Sequence, residues 1–323
     1  MSITKLIRPY SSFVMRKLSY LFCFLLLGIF VIGSPADAQE LDYKPKVLLV
    51  TAHPDDDALF SATVFKTTHL LNGVVDLALM TNGEGGYKYS TLGNFIYNRE
   101  LDKEEVGRAY LPGIRKRELM AGGKIVGLRN YFFFDQVDKE YSKDIDNPLK
   151  RWDTKIVIRR LQNILKQEQY DFVFTMTPSE DTHAHHKASA ILALRAIKKL
   201  PKDERPTVLA TDITSSVDDS TSYTQLEGYP ISKLAVEESP LQFDRRQTFG
   251  HEERLNYKII ASWVIAEHKS QGTMQLLMGR GNVEQYWPYA MNDSARIEKA
   301  HTFFEAVNEV PIYRNPDIDF DNE

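Results

Sequence analysis

Two short stretches of this chain crowd imidazoles and carboxylates into corners suited to holding a cation or moving a proton. The first is Val47-Leu48-Leu49-Val50-Thr51-Ala52-His53-Pro54-Asp55-Asp56-Asp57, where an apolar, β-branched run delivers one histidine and three aspartates. Such a run reads as a buried parallel strand. Pro54 fixes its own φ and pushes the residue before it into extended backbone, so His53 and the aspartates diverge from one tight corner, as ligands must. An aspartate ahead of a helix is also an ordinary N-cap. A cap uses one carboxylate, however, and leaves the histidine and the second aspartate unexplained.

The second stretch, Tyr170-Asp171-Phe172-Val173-Phe174-Thr175-Met176-Thr177-Pro178-Ser179-Glu180-Asp181-Thr182-His183-Ala184-His185-His186, repeats the layout of strand, polar corner and helix. His183 and His186 are three apart and share one face of a helix. One can ligate a metal while the other faces the same open coordination position. Solvated histidines at a helix start are the plain alternative, and the presence of two such corners argues against it.

On these residues the chain resembles the PIG-L/LmbE-like family of zinc-dependent N-deacetylases. The resemblance extends to Thr81-Asn82-Gly83-Glu84-Gly85-Gly86, to Arg115-Lys116-Arg117-Glu118-Leu119, and to Lys258 through His268-Lys269-Ser270-Gln271, five elements in the family's order. It implies that His53, Asp56 and His186 hold Zn2+, with Fe2+ or another divalent ion as alternatives. Two imidazoles and one carboxylate leave an open position for water. Asp55 is then the general base, His183 a protonated donor to the developing oxyanion, and Arg115, Glu84 and His268 contacts to the substrate.

The reaction so implied removes an acetyl group from an N-acetylated amino sugar or glycoconjugate. One departure stands out: His185 occupies the position where the family commonly has Asp, so a carboxylate that would raise the pKa of His183 is missing. Asp181 is a candidate to replace it. A non-haem iron oxygenase also wants two histidines and a carboxylate, and a non-catalytic glycan-binding module is a further alternative. The strand–helix pattern and the extra Asp55 favour hydrolysis.

Residues 58–71 show helical spacing closed by Asn72-Gly73, and 74–80 read as the second strand. The segment 87–113, rich in tyrosine and ending at Pro112-Gly113, reads as a loop-rich insertion. Helices are expected over 114–127, 152–167, 186–200 and 252–268, and strands over 130–134, 172–175 and 207–211. The segment 212–249 breaks the rhythm and reads as a second insertion with short strands. Alternation of this kind predicts an α/β fold, a Rossmann-like doubly wound, mostly parallel sheet with helices on both faces. Substrate specificity is expected to reside in the two insertions.

The chain has 323 residues, of which 43% are hydrophobic and 26% charged, an ordinary globular balance. Arg16-Lys17, the apolar run 18–33 and Ala36-Asp37-Ala38 predict a signal peptide over residues 1–38 and a single deacetylase-like domain over 39–323. The product is expected to be exported, periplasmic or secreted, with no stable membrane anchor if the leader is cleaved. An uncleaved anchor is the alternative. Cys23, the single cysteine, lies within that leader, so the remaining chain can form no disulfide. Residues 39–323 carry 36 basic and 43 acidic side chains, a net −7 that argues against nucleic acid as a partner. A small molecule or glycan is the expected partner, and no sequence feature speaks to oligomerisation.

Overall fold

The first apolar run forms strand β1 (Lys46–Thr51). A 3-10 turn over Pro54–Phe60, a short helix α1 (Ser61–Phe65) and a π turn over Lys66–Leu70 then continue as one helical rod. The rod ends where Asn72 takes φ +52°, a left-handed conformation that asparagine tolerates. Next come β2 (Val74–Thr81), a 3-10 turn (Glu84–Tyr89), α2 (Thr91–Tyr97), α3 (Glu104–Val126) and β3 (Leu128–Gln136). Helices α4 (Asp146–Arg151) and α5 (Thr154–Glu168) lead to β4 (Phe172–Met176), α6 (Ala184–Lys198) and β5 (Thr207–Thr214).

The rest of the chain adds β6 (Leu241–Asp244), a small hairpin of β7 (Thr248–Phe249) and β8 (Leu255–Asn256), and α7 (Lys258–Glu267). It closes with α8 (Gly272–Gln275), β9 (Val283–Pro288) and α9 (Ser294–Glu309). This computed structural model describes residues 44–312 apart from 140 and 236–238; the expected leader lies outside the described residues.

The main sheet has the order β3-β2-β1-β4-β5-β9-β6. Strands β1 to β5 are mutually parallel, while β9 runs antiparallel to both β5 and β6. Successive side chains of a strand point to opposite faces, and here both faces are buried. Val47 and Leu49 pack with Phe60, Leu119, Val264 and Phe303 on one side. Leu48 and Val50 pack with Val157, Leu161 and Ile191 on the other. That two-sided burial is why the strands read as continuous apolar runs, and it confirms the doubly wound, mostly parallel α/β sheet.

Three expectations are corrected. The segment 87–113 is not a loop-rich insertion: α2 lies within it, and α3 begins at Glu104 and runs through Pro112. A proline inside a helix removes a hydrogen bond and normally breaks it, but Leu111, Ile114 and Leu119 around it are buried and hold the helix together. The helical reading of 252–268 shortens to α7, because 248–256 fold as the β7–β8 hairpin. Strand β9 and helix α9 lie where the sequence reading placed no element. The short strands expected within 212–249 are present, and β6 among them joins the main sheet. Among the described residues no helix is long and apolar enough to cross a membrane.

Candidate metal and proton-transfer site

Strands β1 and β4 are neighbours, with Val50 opposite Thr175. The chain leaves β1 towards β2 on one side and β4 towards β5 on the other, so the crevice beyond their carboxyl ends is the switch point of the sheet, where open α/β sheets bind ligands. Both histidine corners leave from it. His53 is extended, with φ −123° and ψ 158°, as the following Pro54 requires. Asp56 folds back so that its Oδ2 accepts the backbone N–H groups of Ala52 and His53, at 2.9 and 2.8 Å.

Three donors from the two corners converge. His53 Nδ1 lies 3.1 Å from His186 Nε2, His186 Nε2 lies 3.2 Å from Asp56 Oδ1, and His53 Nδ1 lies 3.8 Å from Asp56 Oδ2. Arms of about 2.0–2.1 Å in a tetrahedral site separate ligand atoms by roughly 3.3 Å, so this set can hold a divalent ion with little movement. The outer side of each donor is also fixed. His186 Nδ1 meets Thr182 Oγ1 at 3.0 Å, His53 Nε2 meets His185 Nδ1 at 3.1 Å, and Asp56 is tied by the two amides.

Burial opposes charge on Asp56, yet its hydrogen bonds and proximity to His186 and His53 hold its carboxyl well below the usual range. Burial also opposes charge on His53, but Asp56, Asp138 and Asp55 outweigh it and raise the pKa. The cluster therefore has a net negative cast that favours a bound cation.

Asp55 faces a neighbouring cavity of about 160 Å3 whose wall includes His53, Tyr89, Arg115, Asp138, Tyr141 and His183. Its Oδ1 accepts from Arg115 at 2.7 Å, and the same guanidinium donates to the Gly83 carbonyl at 2.7 Å. The glycine turn lets the backbone close over these groups: a Cβ at Gly85 would meet Asp138 Oδ1 at 2.4 Å, and one at Gly86 would meet Gln271 Oε1 at 2.6 Å. His183 is the N-cap of α6, and its Nδ1 accepts the backbone N–H of His185 at 3.1 Å. The ring is half-buried and packs against Tyr141, with centroids 4.9 Å apart.

The remaining candidates separate. Burial first, and then the neighbouring imidazoles of His53, His185 and His186, push His183 down to about 3. The expected protonated His183 is therefore corrected to a neutral ring, with its proton on Nε2 because Nδ1 is an acceptor. His268 is also corrected. It is 1% exposed and meets Asp57 Oδ1 at 2.7 Å within the core, where a substrate does not reach it. Glu84 does not line the cavity and instead accepts the backbone N–H of Asp138 at 2.9 Å. Arg115 lines the cavity and donates to Asp55 and to the Gly83 carbonyl. Asp181 points to solvent and pairs with Lys143 at 2.9 Å, so it does not replace a carboxylate at position 185.

The carboxylate beside that position is Asp138, whose Oδ1 lies 3.6 Å from His185 Nδ1, and it does not offset the lowering of His183. Asp138 stands in none of the motifs that single out the site in the sequence, although it follows the end of β3 just as the histidine corners follow β1 and β4. Tyr141 stands in none of them either, and nothing local to it gives a signal.

Comparison with known proteins finds similar chains. The family model described as "PIG-L: GlcNAc-PI de-N-acetylase" matches residues 48–197 and so contains both corners. A Bacillus cereus protein named "Probable N-acetyl-alpha-D-glucosaminyl L-malate deacetylase 2" is 26% identical over 170 residues, 53% of this chain and 69% of its own. Its Bacillus subtilis namesake is 24% identical over 258 residues, 77% of this chain and all of its own. Among solved structures, N,N'-diacetylchitobiose deacetylase from Pyrococcus horikoshii aligns at TM-score 0.45 and 16% identity, covering 89% of this chain and 96% of that one. The matched region contains both corners, and over it the chain is similar to the PIG-L family.

Proposed function

We propose that this protein is an exported, metal-dependent hydrolase that removes the acetyl group from an N-acetylated amino sugar or glycoconjugate. The observation that carries the reading is the convergence of His53, Asp56 and His186 from two distant corners, with Asp55 and His183 on the wall of the adjoining cavity. The names of the Bacillus relatives support an N-acetylglucosaminyl amide as the substrate class. Export rests on the leader pattern of residues 1–38.

His53, Asp56 and His186 would hold the ion, Zn2+ being the best match to a set of two imidazoles and one carboxylate. When bound, it supplies a Lewis acid for the carbonyl and makes water acidic enough to lose a proton near neutral pH. Asp55 takes that proton as the water attacks, its position set by Arg115. His183 donates its Nε2–H to the carbonyl oxygen as negative charge builds there, and a neutral ring suffices for that role. The proton held on Asp55 then passes to the departing amine as the C–N bond breaks. His185 and Thr182 keep the imidazoles of His53 and His186 in the required orientation.

The test is acetate release from N-acetylglucosamine derivatives by purified protein, with and without chelator, alongside metal analysis. The reading predicts release that chelation abolishes and zinc restores. Metal-free protein with full activity would overturn it.

A further inference from the structure

A second cavity, of about 320 Å3, also reaches the aspartate corner. It shares Asp55 with the polar cavity and no other wall residue. The two have opposite chemistry. The polar cavity is walled by histidine, arginine, aspartate and tyrosine. The second is walled mainly by Leu59, Met176, Ile213, Ile265, Met274 and Leu277, with Asp56 and the exposed Arg280 also on its wall. The buried guanidinium of Arg245 also borders it, but its charge is already matched by Glu284 at 2.7 Å and by the carbonyls of Ala58 and Leu59 at 2.7 and 3.1 Å. At the mouth, the turn after α8 leaves Leu276, Leu277 and Met278 exposed by 68, 44 and 42%. Three consecutive exposed apolar side chains beside an apolar cavity mark a surface that something apolar covers.

The position of Asp55 decides what that is. An amide has two halves, and the general base must lie at the carbonyl between them. With Asp55 on the border of both cavities, a substrate amide placed there directs its amine half, the sugar, into the polar cavity and its acyl half into the apolar one. An acetyl methyl would leave most of about 320 Å3 unfilled.

Building on the hydrolase reading above, we infer that the same site takes a medium-length fatty acyl chain in preference to the acetyl group, seated in the cavity lined by Ile213, Met274 and Leu277. The reaction is balanced hydrolysis: water adds to the carbonyl carbon, the C–N bond breaks, the acyl chain leaves as a carboxylate and the amine takes a proton.

The experiment measures kcat/KM for amine release from N-acetyl-, N-butanoyl-, N-hexanoyl- and N-octanoylglucosamine by the zinc-loaded protein. Each methylene that enters the cavity should raise kcat/KM about fourfold, giving roughly a 250-fold rise over the four methylenes from acetyl to hexanoyl. Leu277→Asp, at a partly exposed position that folding tolerates, should pull the hexanoyl-to-acetyl ratio down towards one. A flat or falling series would overturn the inference while leaving the hydrolase reading intact. Should no member release amine, the hydrolase reading fails, and calorimetric binding still decides the cavity. Tighter binding of N-hexanoylglucosamine than of N-acetylglucosamine, lost in Leu277→Asp, supports the apolar subsite, and equal binding overturns it.

Discussion

Asp55 and Asp56 are adjacent in the chain and have opposite surroundings. The carboxylate of Asp56 accepts two backbone amides and faces two imidazoles, whereas that of Asp55 faces Arg115 and a cavity. Removing them should therefore fail differently. Asp56→Ala is expected to lose metal, because two imidazoles alone hold the ion poorly. Asp55→Asn should keep its metal and lose about 10²–10⁴-fold in kcat, since an amide cannot take the proton from water. Metal analysis and kinetics on the same two preparations check the pair, and similar metal loss in both would refute the division of roles. His185 supports the same ligand set. Its Nδ1 meets the outer nitrogen of His53, so His185→Ala should weaken zinc binding by about 10–100-fold, and His185→Asp, which supplies another acceptor there, should restore much of it. Unchanged zinc affinity in His185→Ala would show that the contact does not orient the ligand.

At the scale of elements, the parallel half of the sheet was legible because each strand is buried on both faces and reads as an unbroken apolar run. Strand β9 was not, for a physical reason. Its six residues are all buried, but Glu284 and Gln285 interrupt the apolar pattern. The cost of burying Glu284 is offset by partners far away in sequence: the amides of Ala62 and Thr63, the Thr63 hydroxyl and Arg245. No local pattern announces such a network. The helical start at Glu104 was hidden by Pro112-Gly113, a pair that ordinarily punctuates chains. The two histidine corners were legible because their chemistry is local, whereas the burial of His268 against Asp57 spans 211 positions.

Strand β5 carries a further consequence. Burial raises the Asp212 carboxyl to about 6, against the opposing hydrogen bond from Thr177. A carboxyl raised in the folded state binds protons more readily there than in the unfolded chain, so stability falls as pH rises from about 4 to 6 and the loss is complete above that window. Asp212→Asn should thus stabilise the protein by roughly 1–2 kcal/mol at pH 7.5 and not at pH 4. Thermal melts of both forms at the two pH values check this, and an equal effect at both would exclude the carboxyl's ionisation as the cause.

For the whole molecule, the proposed ion lies where two runs of the sheet meet. His53 leaves β1, beside β2 and β3, while His186 belongs to the helix after β4, beside β5, β9 and β6. Two ring nitrogens and a carboxylate from the two corners converge there. A bound ion turns that convergence into bonds that the unfolded chain, with His53 and His186 133 positions apart, cannot reproduce. Ligand binding to the native state alone stabilises it by about 2.7 kcal/mol at a hundredfold excess over Kd. In a domain of this size that corresponds to a rise of roughly 5–10 °C in melting temperature. Calorimetric scans with zinc and with chelator should show this difference in the native protein and little of it in His53→Ala. Asp55→Asn should retain the full shift, because its carboxylate serves the proton and not the ion. A shift absent from the native protein, or undiminished in His53→Ala, would place the cation somewhere other than the crevice between β1 and β4.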